Sequence, residues 1–101
     1  MNENLAFQEN IWEELLDGKP VLMSPRPTTN HNQTSFNIAL IFGQYLKGKC
    51  CSVFPDGEEL YLTAKDRFMP DGMVVCQPDQ IKHDGVYGAP DLVVEVLSPA
   101  R

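Results

Sequence analysis

The sequence has no long hydrophobic run. None of its 101 residues belongs to an apolar stretch approaching the ~18 residues that a membrane helix requires. The first residues, Met1-Asn2-Glu3-Asn4, are polar and acidic, unlike a secretory signal peptide. Internal repeats, low-complexity tracts and interdomain linkers are also absent. We therefore expect a single domain at residues 1–101 with no membrane association.

Positive charge is scarce as well. Eight Lys and Arg residues stand against 14 Asp and Glu residues, and the formal net charge is −6. Non-specific binding of nucleic acid depends mainly on Lys and Arg, so this balance argues against a protein that holds nucleic acid by charge alone. It does not exclude a nuclease, because bound metal ions screen an acidic site.

The cysteines are few and show no metal-type spacing. Cys50, Cys51 and Cys76 are odd in number, and we expect them to be reduced, mostly buried and packed as small hydrophobic side chains. Reduced thiols favour a cytoplasmic location.

What is present is the composition of an ordinary globular protein, with 43% apolar and 22% charged residues. Helical spacing of Phe7, Ile11 and Trp12 predicts a short amphipathic helix or arm within residues 1–14. Asp17-Gly18 lies between two apolar runs and predicts a β-hairpin. Prolines in residues 24–27 end its second strand.

A longer helix is predicted from about His31 to Lys47. Residues 28–30 offer N-cap oxygens, and Gly48 is a suitable stop. The apolar residues recur at three- and four-residue steps and predict one buried face: Ile38, Ile41, Phe42, Tyr45 and Leu46.

The second half of the chain is rich in strand patterns. Strands are predicted at residues 50–54, 59–62, 69–76 and 91–97, with a turn at Pro55-Asp56-Gly57 and a connector at residues 66–68. Residues 77–90 contain two prolines and two glycines and are expected to form an unusually long loop.

One acid, Glu95, lies within the last strand, which has the apolar pattern of a fully buried strand. A buried carboxylate is costly unless it is compensated. Glu95 therefore either lies at the rim, pairs with a buried arginine, or binds a metal ion together with Asp71. If the strands that begin at Asp71 and Asp91 pair antiparallel, Asp71 approaches Glu95 and Asp91 falls nearer Cys76. Two such carboxylates can hold Mg²⁺, which activates a water and neutralises charge on a phosphate.

Two stretches of the chain resemble a known family. Pro70-Asp71 with the apolar residues after it, and the segment Pro90-Asp91-Leu92-Val93-Val94-Glu95-Val96-Leu97-Ser98-Pro99, are similar to the Uma-type (Uma-two) family of predicted bacterial endonucleases. Residues 12–25 and His31 match the opening pattern of that family. The family is grouped with the PD-(D/E)XK restriction-endonuclease superfamily, and the resemblance covers nearly the whole chain.

The resemblance implies an α+β, restriction endonuclease-like core with an N-terminal helix or hairpin, a long helix and a mainly antiparallel sheet. It implies a nuclease that hydrolyses phosphodiester bonds, favours DNA and uses Mg²⁺ or Mn²⁺ held by Asp71 and Glu95. Asp91 and Glu14 match further family positions as auxiliary carboxylates, and His31 could help to bind a phosphate or a water.

Two departures from the family pattern bear on activity. The lysine of the superfamily would follow Glu95 by two positions, where this chain has Leu97, and Lys49, Lys65 and Lys82 do not lie at matching positions. The chain also stops at Arg101, where the family continues with a helix and a closing strand, so we expect a C-terminally incomplete domain. An uncovered apolar face is an association surface, which predicts a homodimer or higher oligomer. The alternative to a nuclease is therefore a non-catalytic, dimerising scaffold or interaction module that keeps the nuclease fold.

Overall fold

In a computed structural model, the described residues are 12–23 and 28–97, and they form an α+β fold. The regular elements, in chain order, are β1 (Trp12–Leu16), β2 (Lys19–Met23), α1 (Thr29–Tyr45), β3 (Ser52–Pro55), β4 (Leu60–Tyr61), β5 (Arg67–Phe68), β6 (Gly72–Val75), a 3-10 helix (Pro78–Gln80), β7 (Ile81–Lys82), β8 (Gly85–Tyr87) and β9 (Leu92–Val94).

The predicted hairpin at Asp17-Gly18 is confirmed. β1 and β2 pair antiparallel, and Asp17 and Gly18 both have positive φ values, of 52° and 78°. Such values are those of a two-residue type I′ turn. The helix or arm predicted within residues 1–14 lies outside the described residues up to residue 11. From Trp12 onwards that prediction is wrong, because Trp12 pairs with Met23 in the hairpin.

The long helix is confirmed, with bounds two residues earlier than predicted. The Thr28 hydroxyl oxygen accepts a hydrogen bond from the His31 backbone N–H at 3.1 Å, which caps α1. At the other end, Gly48 adopts a φ of 82° and lets the chain leave the helix. The predicted buried face is wrong in part, because Ile41 is 64% and Tyr45 is 73% exposed. The helix packs through a narrower stripe that includes Ile38, Ala39 and Phe42.

The strands form two sheets with the main core between them. The six-stranded sheet has the order β2-β1-β5-β4-β8-β7, with one parallel pair, β4–β8, and the three-stranded sheet has the antiparallel order β3-β6-β9. The core combines Leu60 and Val86 of the first sheet with Met73 and Val75 of the second. α1 covers the opposite face of the three-stranded sheet, so all four residues of β6 are buried. This explains the uninterrupted apolar run in β6.

Three further sequence predictions need correction. Residues 77–90 are not a plain loop, because they contain a 3-10 helix and the strands β7 and β8, which pair antiparallel. Residues 66–68 include β5, which joins β1 to β4. The last strand is not fully buried: β9 lies at the edge of its sheet, and Leu92 and Val93 are exposed.

The expectation of reduced, mostly buried cysteines is also wrong. Cys51 and Cys76 form a disulfide, and Cys50 is a free, exposed thiol. The reason is the strand register: Ser52 pairs with Val75, so the residues just outside this pair, Cys51 and Cys76, meet across the two strands. The inference of a cytoplasmic location rested on reduced thiols and loses that basis.

Candidate active site

Three carboxylates lie at the same end of the three-stranded sheet. Asp56 follows β3, Asp71 precedes β6 and Glu95 follows β9. Pro55 pairs with Gly72, and Gly72 pairs with Val94, so each acid is one residue beyond a paired position. The antiparallel pairing that the sequence analysis took as its condition, between the strands that begin near Asp71 and Asp91, is present in the structure.

Asp71 binds the chain on both sides of Glu95. The Asp71 backbone N–H donates to the Val94 carbonyl at 3.0 Å. One carboxylate oxygen of Asp71, Oδ2, accepts a hydrogen bond from the Val96 backbone N–H at 2.6 Å. Glu95 lies between these two contacts, so its backbone position is fixed relative to Asp71.

The first two turns of α1 also contact Asp71. His31 Nε2 lies 3.2 Å from Asp71 Oδ2, and these side chains are only 10% and 14% exposed. The Ser35 hydroxyl donates to the Asp71 carbonyl oxygen at 2.9 Å. The other ring nitrogen of His31, Nδ1, is buried and has no hydrogen-bond partner among the described residues. Buried polar atoms are normally hydrogen-bonded, so Nδ1 marks a place where a further polar group would be favourable.

The carboxylates repel one another. Partial burial of the Glu95 carboxyl is the largest cause of its raised pKa, and the charges of Asp71, Glu14 and Asp56 raise it further, whereas His31 opposes the shift. The pKa of Asp56 is raised by burial first and by Asp71 second, against the lowering effects of His31 and of the Gly57 backbone N–H. The site therefore carries more negative charge than its own cationic and hydrogen-bond-donor groups compensate.

Comparison with family models supplies an independent observation. Residues 3–101 match the Uma2 model, which is described as "Putative restriction endonuclease". The chain belongs to the Uma2 family. A search of curated proteins found no match.

Membership of the Uma2 family supports nuclease as the general class of protein. The α+β arrangement, with one α-helix in the described residues, is compatible with a restriction endonuclease-like fold. None of the helices among those residues has the length and apolar character needed to cross a membrane.

The auxiliary residues predicted for this Uma2 chain take different places. His31 contacts Asp71, as described above. Glu14 comes from the other sheet; its Oε2 accepts from the Met69 backbone N–H at 3.1 Å, and its charge acts on Glu95. Asp91 lies at the far end of β9 from Glu95, about 13 Å along the strand at ~3.3 Å per residue. Its backbone N–H donates to the Val74 carbonyl.

The carboxylates of this site provide oxygen atoms, which are the ligands that a hard cation prefers. Within residues 12–23 and 28–97, no three His, Cys, Asp or Glu side chains converge as a metal-binding group. Mg²⁺, however, is commonly held by one or two carboxylates while it retains several waters. Asp71 and Glu95 supply oxygen donors of this kind, and a divalent cation would relieve the mutual repulsion of the acids. Within residues 12–23 and 28–97, the side-chain contacts of Asp71 with His31 and with the Val96 N–H both use Oδ2, so neither of them occupies Oδ1.

Two residues of the site escaped the sequence analysis. Ser35 gave no distinguishing signal within the helix pattern. Asp56 was assigned to a turn, although the tripeptide Pro55-Asp56-Gly57 is repeated as Pro70-Asp71-Gly72. This repeated tripeptide was the one available signal, and only the strand register makes the two aspartates neighbours.

Proposed function

We propose that this chain is a metal-dependent nuclease that hydrolyses phosphodiester bonds in nucleic acid, with DNA as the favoured substrate. Asp71 and Glu95 would hold Mg²⁺ or Mn²⁺. The observation that carries the proposal is the fixed relation of the two acids: Asp71 binds the backbone on both sides of Glu95. Membership of the Uma2 family supports the same reaction class.

The residues of the chain prepare the site in two ways. The His31 imidazole and the Val96 N–H both contact Asp71 Oδ2, which fixes the orientation of the carboxylate. Partial burial first, and the neighbouring acids second, make Glu95 an unfavourable anion in the metal-free protein, and a bound cation would compensate its charge. The cation, when bound, supplies activation of a water nucleophile and neutralisation of the phosphate charge.

Calorimetric titration with Mg²⁺ and nicking of plasmid DNA test this proposal. We expect binding and nicking with the parent chain, and loss of both in Asp71→Asn and Glu95→Gln. Asp91→Asn removes the same unit of charge at the far end of β9 and is the matched control, which should retain both activities. Nicking that survives Asp71→Asn, or that is lost equally in Asp91→Asn, would contradict the assignment.

The second candidate function is a dimerising scaffold without catalysis. It is favoured by Leu97, which occupies the position of the superfamily lysine and is 89% exposed, and by exposed apolar side chains on β9. Exposed apolar side chains on an edge strand favour self-association. Sedimentation at micromolar concentration should then detect a dimer or higher oligomer. A stable monomer that binds Mg²⁺ would rule against the scaffold.

A further inference from the structure

A cleft lies beside the carboxylates, between the beginning of α1 and the end of β3. It is lined by Asn32, Ser35, Phe36, Pro55 and Asp56 and has a volume of about 220 Å³. Pockets for drug-sized ligands have volumes of about 300–1,000 Å³, so this cleft suits a smaller, ring-sized group. It is far larger than a single water requires.

The cleft is adjacent to the proposed cation ligands. The hydroxyl of Ser35, which lines the cleft, donates a hydrogen bond to the backbone carbonyl oxygen of Asp71 at 2.9 Å. Asn32 directly follows His31, which contacts the Asp71 carboxylate. A ligand in the cleft would therefore lie next to the group that is proposed to hold the metal ion.

The lining side chains combine an aromatic ring with hydrogen-bonding groups. Asn32 and Phe36 are four residues apart on α1 and so lie on the same face of the helix. Phe36 is 58% exposed, so its ring is accessible to a ligand in the cleft. Asn32 offers an amide donor and acceptor, and Asp56 across the cleft offers a carboxylate acceptor.

These features match the chemistry by which proteins recognise unpaired bases, namely stacking on an aromatic ring and hydrogen bonds to the base edge. A chain with 8 basic and 14 acidic residues gains little affinity from phosphate contacts, so stacking must supply more of it. A base that is paired and stacked within a duplex cannot enter such a cleft without leaving the stack.

We infer that this cleft binds one unpaired nucleobase next to the bond to be cleaved, with Phe36 stacked on the ring and Asn32 and Asp56 bonded to its edge. The inference rests on the proposed nuclease function and gives it a substrate class: single-stranded nucleic acid, or a duplex with an unpaired nucleotide at the cleavage position.

The test uses a short single-stranded DNA with one central 2-aminopurine, and the matching RNA, in the presence of Ca²⁺ in place of Mg²⁺. Stacking on Phe36 should quench the 2-aminopurine fluorescence. Phe36→Ala should weaken binding at least about fivefold and abolish the quenching, since stacking of a base on an aromatic side chain contributes on this scale. Phe36→Trp should restore both. Tyr45→Ala removes another exposed aromatic residue of the same helix and should leave binding unchanged.

The outcomes separate this inference from the nuclease proposal. If Mg²⁺ binding and plasmid nicking are found but Phe36→Ala and Tyr45→Ala bind the oligonucleotides alike, the cleft inference is wrong and the nuclease proposal stands. If quenching depends on Phe36 while Mg²⁺ binding and nicking are absent, the nuclease proposal fails; base binding in the cleft then stands, and its place beside a cleaved bond is wrong. No binding of either oligonucleotide by the parent chain overturns the inference. Because Phe36 is largely exposed, Phe36→Ala should fold normally, which circular dichroism checks.

Discussion

Replacing Glu95 by glutamine should stabilise the metal-free protein, although it removes a proposed metal ligand. The Glu95 carboxyl is partly desolvated and is repelled by Asp71, Glu14 and Asp56, with His31 as the opposing charge. Glutamine has nearly the same shape but carries no charge. The substitution therefore removes the repulsion while it keeps the packing.

The expected gain follows from the number of neighbouring charges. Interactions between partly exposed charges are worth about 0.2–1 kcal/mol each, so three repulsive neighbours and one attractive neighbour give a net gain of about 1 kcal/mol. For a domain of this size, 1 kcal/mol corresponds to an increase of about 4–8 °C in Tm. Saturating Mg²⁺ should raise the Tm of the parent chain, because a ligand that binds only the folded state stabilises it, and should raise that of Glu95→Gln much less.

Thermal unfolding followed by circular dichroism, with and without Mg²⁺, measures both effects. Asp91→Asn is the control, because it changes the net charge equally at the other end of β9. As a surface substitution it should change stability by no more than about 0.5 kcal/mol. A Tm for Glu95→Gln that is equal to or below that of Asp91→Asn would refute the claim that repulsion is concentrated at this site.

Three other predictions concern stability. Folding raises the pKa of both Asp56 and Glu95, so the folded state favours their protonated forms, and the free energy of unfolding should increase as pH falls from neutral through these raised pKa values. Urea denaturation at neutral and mildly acidic pH measures the free energy of unfolding, and a decrease over that pH range would contradict the prediction. Gly85→Ala should lower the free energy of unfolding by about 2–5 kcal/mol, because φ is 153° and the new Cβ would lie 2.7 Å from a backbone oxygen and 2.9 Å from an aromatic carbon. Gly57→Ala, with φ of 106° and no atom within 4 Å, should cost less in the same assay, about 1–3 kcal/mol, and equal losses would show that the contact is unimportant. Thr28→Ala should lower the free energy of unfolding by about 1 kcal/mol through loss of the α1 cap, whereas Thr28→Ser, which keeps the hydroxyl, should lower it little. Chemical denaturation of the two variants measures both values, and equal losses would show that the cap is not the cause.

Local signals predicted the elements that local chemistry specifies. The Asp17-Gly18 turn and the Gly48 stop were correctly placed, because the backbone conformation at each depends on the residue itself and its immediate neighbours. The helix cap was placed only within residues 28–30, and the structure uses Thr28. The sequence raised the antiparallel pairing of β6 with β9 only as the condition under which Asp71 approaches Glu95, and the structure contains that pairing. The strands within residues 77–90 were missed because β7 and β8 are only two and three residues long, and because β8, with which β7 pairs, itself pairs with the distant β4.

The amino-acid sequence by itself determined the Asp17-Gly18 turn, the ends of α1 to within two residues, the apolar character of β6, and the presence of an acid beside each of two strands that are able to pair. Only the tertiary structure decided that Asp56 joins them, that His31 contacts Asp71, and that Cys51 meets Cys76. The physical reason is the range of the interactions. A helix cap or a positive φ depends on a few neighbouring residues. The approach of β3, β6 and the start of α1 depends instead on the burial of a shared apolar surface, and a local sequence pattern does not predict which distant side chains this burial brings together.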